Sequence, residues 1–457
     1  MTKLWHKNYE LDALVEKFTV GMDFELDRNL INADCLASLA HATMLSSIGI
    51  LTKEELESLK EGLVEIIRKN TAGGFPINLS DEDGHTAIEN YLTASAGIAG
   101  KKIHTGRSRN DQVIAALRLY ARGFMLEYAG HSLALAEKLL DFAKKHRDTP
   151  MPGRTHMQIA MPSSVGLWAG AYAEQLLDDL KLIRTAYEIN NMCPLGSAAS
   201  YGVPLPLNRE LVADLLAFED VQNNVLYVNN SRGKMESIIL DAVEQVTLTL
   251  SKMAQDLILF SMPEFRYFTL PDRLCSGSSI MPQKKNPCGL ELLRAKTSTV
   301  SSCCMQVKGI VKALPSGYNR DFQETKEPFI RGINTGLYCV KIMDLTIREI
   351  KVNKDKLLAG FIPEIYATDA ALELVGKGMP FRDAYKEIGL HLDRLQSMDP
   401  VKTIRKKTHT GATGNLGLDK AERKTTELKQ FISGETSKIE EKTKKLAGIA
   451  VELYKPL

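Results

Sequence analysis

The sequence of 457 residues lacks the features that mark several large classes of protein. No apolar run reaches the roughly 18 residues that a membrane helix needs, and the N-terminal MTKLWHKNYELD lacks the apolar core of a signal peptide. The 58 Lys and Arg residues nearly balance the 56 Asp and Glu residues, so there is no broad basic field for nucleic acid. We therefore expect a soluble, cytoplasmic protein that binds neither membranes nor nucleic acids.

Cysteine is scarce and motifs for several chemistries are missing. The seven cysteines form no CxxC pair, which argues against zinc and dithiol redox sites. The patterns GxGxxG, GxxxxGK[ST] and GxSxG are also missing, so nothing favours hydride transfer, phosphoryl transfer or a serine-hydrolase elbow. Any chemistry has to come from other polar segments.

Proline is absent from three long stretches, residues 77–149, 207–262 and 401–455. Because proline costs about 3 kcal/mol inside a helix, such stretches permit long helices. Apolar residues at alternating steps of three and four follow Ile114 as far as Phe142, and again run from Ile239 to Leu257. This spacing predicts helices packed side by side in a bundle. Alternating strand patterns with hairpin turns are hard to find, so we predict a mostly α protein.

Helix-start signals agree with this prediction. Thr52, followed by Glu54 and Glu55, precedes an amphipathic run, and Thr368 with Asp369 predicts a further start. The last forty residues mix Lys and Glu with periodic Leu and Ile, as a solvated amphipathic helix does. At roughly 150 residues per domain, the length suggests about three domains.

Three polar segments are predicted to interrupt the helices: residues 83–112, 150–162 and 274–287. In the last of these, GSSIMPQKKNP combines a glycine-serine loop with two lysines and a predicted helix start. Backbone N–H groups of such a loop, and a helix N-terminus, both favour a bound anion. The alternative is a flexible connector with surface lysines.

The other two segments carry HTGRSRNDQ and GRTHMQ. Arg107 and Arg109 supply forked donors suited to carboxylates, with a helix cap and Arg–Asp pairing as the alternative. His156 is a candidate proton-transfer group, although a lone histidine is more often a packed or hydrogen-bonded residue. Together the segments indicate a carboxylate-rich substrate and a proton-transfer reaction.

These motifs resemble a known family. GSSIMPQKKNP, HTGRSRNDQ and the TH-x-Q of residues 155–158 are similar to the three signature regions of the fumarase/aspartase superfamily. Within it, SRNDQ, PQKKNP, YNRDFQETK (318–326), PLGSAASYGVPLPLNRE (194–210) and ATDAALELVGKGMPFRDAY (367–385) resemble the argininosuccinate lyase family, which includes the δ-crystallins of the lens. The likeness covers nearly the whole chain, with the motifs in the family's order.

The resemblance implies an all-α, three-domain fold with a long central helical bundle that assembles into the core of a homotetramer. We expect an N-terminal domain over 1–106, the bundle over 107–361 and a small C-terminal domain over 362–457. It also implies reversible β-elimination of argininosuccinate to arginine and fumarate, the last step of arginine biosynthesis, without metal or organic cofactor. The three signature regions would meet from three different chains in shared active sites.

Roles for individual residues follow from the matching positions. Ser278 matches the family's catalytic serine, which we favour as the base, and His156 its catalytic histidine, although either one could take the first proton. Lys284 would stabilise the charged intermediate, and Glu291 would orient the histidine. The matching substrate-binding positions are Ser108, Arg109, Asn110, Thr155, Asn286, Tyr318, Gln323 and Lys326. Gln323 and Lys326 would hold a carboxylate and Tyr318 would help to place the arginine portion.

Asp83 and His85 are further candidates for the edge of the pocket, with a structural network at a helix start as the alternative. The sequence also departs from the family's pattern. Asp23 stands where a substrate-contacting serine is usual, Met161 where glutamine is common, and of the family's D-A-x-S-x-R-D only Arg232 is retained within residues 227–233. These departures leave the expected catalytic set in place and concern the fine contacts to substrate.

Two alternative functions remain open on the sequence. One is another lyase of the superfamily, such as adenylosuccinate lyase, aspartase or fumarase, although fumarase and aspartase typically have glycine where Gln283 stands. The other is a non-catalytic structural protein of the crystallin kind. The presence of Ser278, His156, Lys284 and Glu291 favours an enzyme.

Overall fold

The computed structural model describes residues 12–456 of the chain, and helices dominate them, as predicted. The α-helices are α1 Ala13–Val20, α2 Asp23–Leu26, α3 Ile31–Ser47, α4 Lys53–Thr71, α5 Gly84–Ala96, α6 Ile98–Lys102, α7 Arg109–Lys145, α8 Val165–Asn190, α9 Arg209–Leu215, α10 Val225–Asn230, α11 Lys234–Ser261, α12 Cys288–Val311, α13 Lys326–Glu349, α14 Lys354–Ala359, α15 Ala367–Gly376, α16 Phe381–Leu390, α17 Pro400–Arg405 and α18 Leu418–Ala447. The strands are β1 Pro150–Thr155, β2 Gln158–Ser164, β3 Met192–Cys193, β4 Asp220–Val221, β5 Phe268–Thr269 and β6 Lys351–Val352.

Five long helices, α7, α8, α11, α12 and α13, form the central bundle. Helix α11 packs on α8, α12 and α13, while α7 packs on α8 and α13. The two series of periodically spaced apolar residues lie within α7 and α11. Four of their members are fully buried: Phe124, Tyr128, Val243 and Leu250. Periodic apolar faces on proline-free segments thus produce the rods that set the dimensions of the molecule.

The predicted helix starts are largely confirmed. Thr52 forms a capping box with Glu55 at the start of α4, each side chain accepting a hydrogen bond from the other's backbone N–H. Helix α15 begins at Ala367, one residue before the predicted start, and no side chain caps it. The predicted amphipathic helix near the C-terminus is α18, which has 30 residues.

Residues 150–164 form an antiparallel hairpin, where the sequence predicts a break between helices and no strands. Thr155 pairs with Gln158, so that His156 and Met157 occupy the two central positions of a tight turn. Their φ angles are +52° and +63°, the left-handed region that a type I′ turn needs and that residues other than glycine seldom adopt. The hairpin therefore presents His156 at its tip at some cost in backbone strain.

The predicted interruption at 83–112 was wrong for most of its length, because α5 and α6 occupy residues 84–102. Asp83 caps α5 by accepting the Thr86 N–H at 2.8 Å, so the helix begins inside the polar segment. Only residues 103–108 break the helical pattern before α7.

Helices α3 to α6 pack together ahead of the bundle, and α14 to α17 follow it. Helix α18 returns to lie along α7 and α8 and also contacts α3. The domain boundaries at 106 and 361 stay predictions. None of the helices described between residues 12 and 456 is long and apolar enough to cross a membrane.

Candidate active site

One end of the bundle holds a polar cavity of about 200 Å³. It gathers seven of the predicted site residues from three parts of the chain: Asp83 and His85 at the start of α5, Arg109 and Asn110 at the start of α7, and Tyr318, Gln323 and Lys326 at the approach to α13. The cavity is also lined by residues that the sequence did not assign to the pocket, among them Asp27, Glu82, Arg232 and Arg320. A single chain thus builds one part of a site rich in charge of both signs.

Lys326 is almost completely buried at the floor of this cavity. Its ammonium donates to Asp27 Oδ1 at 2.6 Å and lies 3.0 Å from Asp23 Oδ1. Burial would lower the pKa of Lys326, but the two carboxylates hold it above its ordinary value. Burial raises the pKa of Asp23 to about 6, against the opposing effect of Lys326. Burial also acts to raise the pKa of Asp27. The charges of Lys326 and His85 outweigh burial and lower this pKa below its usual value.

Gln323 is also engaged within the chain. Its side-chain amide donates to the carbonyl oxygens of Thr19 and Val20 at 3.1 and 3.3 Å. The guanidinium of Arg320 donates to the same Thr19 oxygen at 2.7 Å. Gln323 and Lys326 were expected to hold a carboxylate of the substrate, but here both side chains are bonded to the N-terminal segment that closes the cavity.

The start of α7 forms a second wall. Ser108 caps the helix by accepting the Asn110 N–H at 3.2 Å, and its own N–H donates to Asp111. Arg109 forms ion pairs with Glu82 and Asp83 at 3.5 and 3.3 Å. The alternative interpretation of this motif, a helix cap with Arg–Asp pairing, is confirmed. Arg109 and Asn110 also line the cavity, and carboxylate binding by the motif stays a prediction.

His85 lies behind this wall in a buried polar network. Its Nδ1 forms a short hydrogen bond with Asp34, which also accepts from the Ser38 hydroxyl at 3.3 Å. Arg107 donates to that hydroxyl at 2.8 Å. Burial would lower the pKa of His85, but the Asp34 carboxylate raises it above the usual value. The Asp34 carboxylate therefore favours the protonated form of His85 behind the cavity.

The remaining predicted residues lie at the other end of the bundle. Thr155 and His156 are exposed at the tip of the β1–β2 hairpin. The side chain of Arg154 steadies this tip, donating to the Met157 carbonyl at 3.1 Å and stacking over the Phe265 ring at 4.8 Å.

The loop of residues 275–287 is closed at its base by paired backbone hydrogen bonds between Ser276 and Asn286. Within it, the half-buried Ser278 hydroxyl accepts the Met281 N–H at 3.1 Å and the Ile280 N–H at 3.4 Å. The Asn286 side chain donates to the Gly277 carbonyl at 3.2 Å. Lys284 is exposed within the loop.

Glu291 follows in the first turn of α12 and is exposed. Among residues 12–456, no hydrogen bond or ion pair joins it to His156, and none joins either residue to the cavity. The lengths of the helices explain the separation. The 24 residues of α12 place Ser278 and Tyr318 at opposite ends of a rod of about 36 Å. The 37 residues of α7 separate Asn110 from the hairpin by about 55 Å.

Arg232 is a pocket residue that sequence reasoning missed. It precedes α11, is 4% exposed and lies with its guanidinium carbon 6.0 Å from the centre of the Tyr318 ring. Its retention within an otherwise divergent segment, residues 227–233, was the signal that could have identified it.

Comparisons with known proteins agree with this architecture. A family model described as "Lyase" matches residues 7–302. Proteins named argininosuccinate lyase are 42% identical in Sorangium cellulosum, over 91% of this chain and 97% of the relative, and 44% identical in Parabacteroides distasonis, over 91% and 92%. A third, from Thermotoga neapolitana, is 43% identical over 84% of this chain and 97% of the relative.

Solved structures share the fold at lower identity. An EDDS lyase in complex with formate has a TM-score of 0.81 at 22% identity, covering 96% of this chain and 95% of the other. A class II fumarase from Schistosoma mansoni has a TM-score of 0.71 at 15% identity, covering 89% and 97%.

Proposed function

Because this chain belongs to the argininosuccinate lyase family, we propose that it works by cleaving argininosuccinate reversibly into arginine and fumarate, with the residue roles given below. The observation that carries the function is the identity above 40% with argininosuccinate lyases over about nine tenths of the chain. The protein is thus a carbon–nitrogen lyase of arginine biosynthesis, and we place it in the cytoplasm.

In the proposed reaction, a proton leaves the succinyl carbon next to a carboxylate, and the intermediate carries a second negative charge on that carboxylate. Donors aimed at such charge contribute several kcal/mol to the rate. Lys284, Asn286 and backbone N–H groups of the 275–287 loop are suited to this role by type and position.

Ser278 is the proposed base. A serine hydroxyl is a poor base in water, so its ionised form has to be stabilised. Hydrogen bonds donated to a group favour its charged form, and the Met281 and Ile280 N–H groups already donate to Ser278 Oγ. Lys284, six residues along the loop, adds positive charge to the same segment.

His156 is the proposed acid. It would protonate the guanidino nitrogen as the carbon–nitrogen bond breaks, directly or through a water molecule. Glu291 of a neighbouring chain would orient the imidazole and favour its protonated form. Exposure of both side chains on the isolated chain supports a partner-dependent contact.

The cavity would bind substrate, with Asn110, Tyr318 and Arg109 in its wall and Thr155 and Ser108 completing the contacts. Its volume of about 200 Å³ is below the roughly 300–1,000 Å³ of sites for drug-sized ligands. This size suits part of argininosuccinate, and the remainder would be enclosed by other chains.

We propose a homotetramer in which cavity, hairpin and catalytic loop come from three different chains. The separations of about 36 and 55 Å along α12 and α7 support this, since one chain cannot bring its own segments together. Exposed apolar residues on the bundle helices also support burial against other copies: Leu248, Leu292, Met305, Tyr338 and Ile342.

The function is tested by following fumarate release by ultraviolet absorbance, with argininosuccinate and adenylosuccinate offered side by side. Turnover of argininosuccinate alone is expected. Preference for adenylosuccinate would replace the proposal with another superfamily activity. A folded tetramer that releases no fumarate from either substrate would favour a structural protein of the crystallin kind.

The shared site is tested by co-refolding His156→Asn and Ser278→Ala chains. Neither variant should be active alone, but mixed tetramers should recover about a quarter or less of normal sites, because some sites then draw every group from intact segments. Mass measurement confirms the mixing. Mixed tetramers without recovered activity, or an active monomer, would refute the shared site.

A further inference from the structure

Arg232 is a buried cation whose contact within residues 12–456 is the ring of Tyr318 and not a hydrogen-bonded carboxylate. It is 4% exposed, yet its guanidinium makes no hydrogen bond or ion pair with any residue in the described part of the chain, and its Nε is buried and unsatisfied. Burying a charge without a partner is costly. Because Arg232 lines the cavity, the missing partner can be supplied by a ligand that enters it.

The other lysine and arginine side chains that line the cavity all have partners within the chain. Lys326 is bonded to Asp27 and Asp23, and Arg109 is paired with Glu82 and Asp83. The Arg320 guanidinium donates to a backbone carbonyl. A carboxylate that enters the cavity would meet in Arg232 a buried guanidinium without a hydrogen bond or ion pair in residues 12–456. The planar fork of this group matches a carboxylate with two parallel hydrogen bonds.

Asp23 supplies the complementary charge. Its Oδ1 faces Lys326 at 3.0 Å, and its side chain is 14% exposed to the cavity. Lys326 also bonds to Asp27, so one ammonium serves two carboxylates and leaves this cluster with an excess of negative charge. The Arg232 charge is close enough to Asp23 to favour its ionised form. A cationic group bound to Asp23 would also lie near the positive charge of Arg232. The ligand that carries it therefore needs an anionic group to bind Arg232.

We propose that Arg232 and Asp23 together recognise the free α-amino-acid end of the substrate, with the guanidinium binding the α-carboxylate and the Asp23 carboxylate binding the α-ammonium. This inference rests on the proposed function and assigns two residues that determine its substrate specificity. It assigns the α-carboxylate to Arg232 in place of Gln323 and Lys326, whose donors are bonded within the chain. A compound that lacks either charged group should lose one half of the recognition.

The test uses three inhibitors of argininosuccinate cleavage by the whole enzyme: arginine, agmatine without the α-carboxylate, and 5-guanidinopentanoate without the α-amino group. Wild-type enzyme should bind arginine about 10- to 100-fold more tightly than either analogue, the range for hydrogen bonds to charged groups. Arg232→Gln should bind arginine and 5-guanidinopentanoate about 10- to 100-fold more weakly than wild type, with the affinity for agmatine unchanged. Asp23→Asn should bind arginine and agmatine more weakly than wild type by the same factor, with the affinity for 5-guanidinopentanoate unchanged.

Arg423→Gln is the matched control, because Arg423 is exposed on α18, far along the chain from the cavity residues, and forms an ion pair with Asp419. Circular dichroism and tetramer mass establish that each variant is folded, and Arg232→Lys and Asp23→Ser replace any variant that is not. Equal binding of the three compounds to wild-type enzyme would overturn the proposal, as would equal losses for all three in Arg232→Gln, which would indicate a structural role beneath Tyr318. Failure of wild-type enzyme to cleave argininosuccinate would instead refute the proposed function.

Discussion

The ammonium of Lys326 and the carboxylate of Asp27 are 2.6 Å apart and both fully buried, although 299 positions separate them in the sequence. The pair joins the start of α13 to the N-terminal segment that closes the cavity. Asp27 also accepts the Gly84 N–H at 2.9 Å, so the same carboxylate fixes the start of α5. One buried ion pair thereby holds three walls of the candidate site in place.

Lys326→Met should destabilise the protein by about 3–5 kcal/mol, because it leaves Asp27 charged and buried without its partner. The double variant Lys326→Met/Asp27→Leu removes both charges and should recover most of that loss. Urea unfolding of the two variants, compared with wild type, measures the difference. If the double variant is as unstable as the single one, an unpaired charge is not the cause.

The pH dependence of the same pair has a defined sign. The lowered pKa of Asp27 contributes stability that is present above its unfolded pKa near 4 and lost as pH falls through the folded value. The raised pKa of Lys326 contributes stability that is present below roughly pH 10.4 and lost as pH rises further. Asp23, which also contacts Lys326, titrates near pH 6. The effect of Lys326→Met on unfolding should therefore be largest at about pH 8 to 9 and shrink as pH falls through the titrations of Asp23 and Asp27.

Arginine binding should weaken below about pH 6. Burial raises the pKa of Asp23 to about 6, and only its ionised form can receive an ammonium group. The dissociation constant should rise about tenfold for each pH unit below that value. Asp27, Lys326 and Arg232 face the same carboxylate, so the readout is the ratio of the constants for arginine and 5-guanidinopentanoate, in which shared titrations cancel. A ratio that does not vary between pH 5 and 8, or one that varies equally in Asp23→Asn, would contradict the assignment.

Ser278→Ala should lower kcat by at least the ~10²–10⁴ typical of acid–base groups, with folding and substrate affinity largely retained. The hydroxyl accepts two loop N–H groups, and Ser278 is not among the buried residues described between 12 and 456. Ser433→Ala removes the hydroxyl of an exposed serine on α18 and should leave kcat unchanged. Near-normal kcat in Ser278→Ala would exclude Ser278 as the base.

Glu291→Gln should lower the rate and shift the pH–rate profile, because its carboxylate is proposed to orient His156 and stabilise the imidazolium. In a His156→Asn background the same change should have little further effect, since coupled residues are not additive. Steady-state rates of the two single variants and the double variant measure the coupling. Full additivity would mean that the two residues act independently.

Met157→Gly should stabilise the hairpin by about 0.5–1 kcal/mol. A left-handed conformation costs a residue with a Cβ roughly 1–2 kcal/mol, and part of this gain is offset by the greater freedom of glycine in the unfolded chain. Hydrogen exchange of the β1 and β2 amides reports the change. Met161→Gly, in β2 without a positive φ, should weaken the hairpin instead, and stabilisation by both substitutions would contradict the strain at the turn.

The long helices could be predicted because their spacing of apolar residues is local, as in α7 and α11. The hairpin could not, because its turn residues, His156 and Met157, are types that rarely take positive φ. The motifs identified Asn110, Tyr318 and Lys326, and the structure brings these residues to one cavity. Arg232 was missed because its surroundings come from distant parts of the chain, and no short pattern records that Asp23 and Tyr318 lie beside it.

The lengths of α7 and α12 fix the distances between the separate parts of the candidate site. Helix α12 separates the cavity from the loop of residues 275–287. In the proposed tetramer, the offset between chains therefore has to match the length of this helix. Removing one residue from the middle of α12 would draw its ends about 1.5 Å closer and rotate one against the other by about 100°. Insertions and deletions in the bundle should therefore be far less tolerated than in the loops. They would put two intact halves of the site out of register, even where each chain still folds.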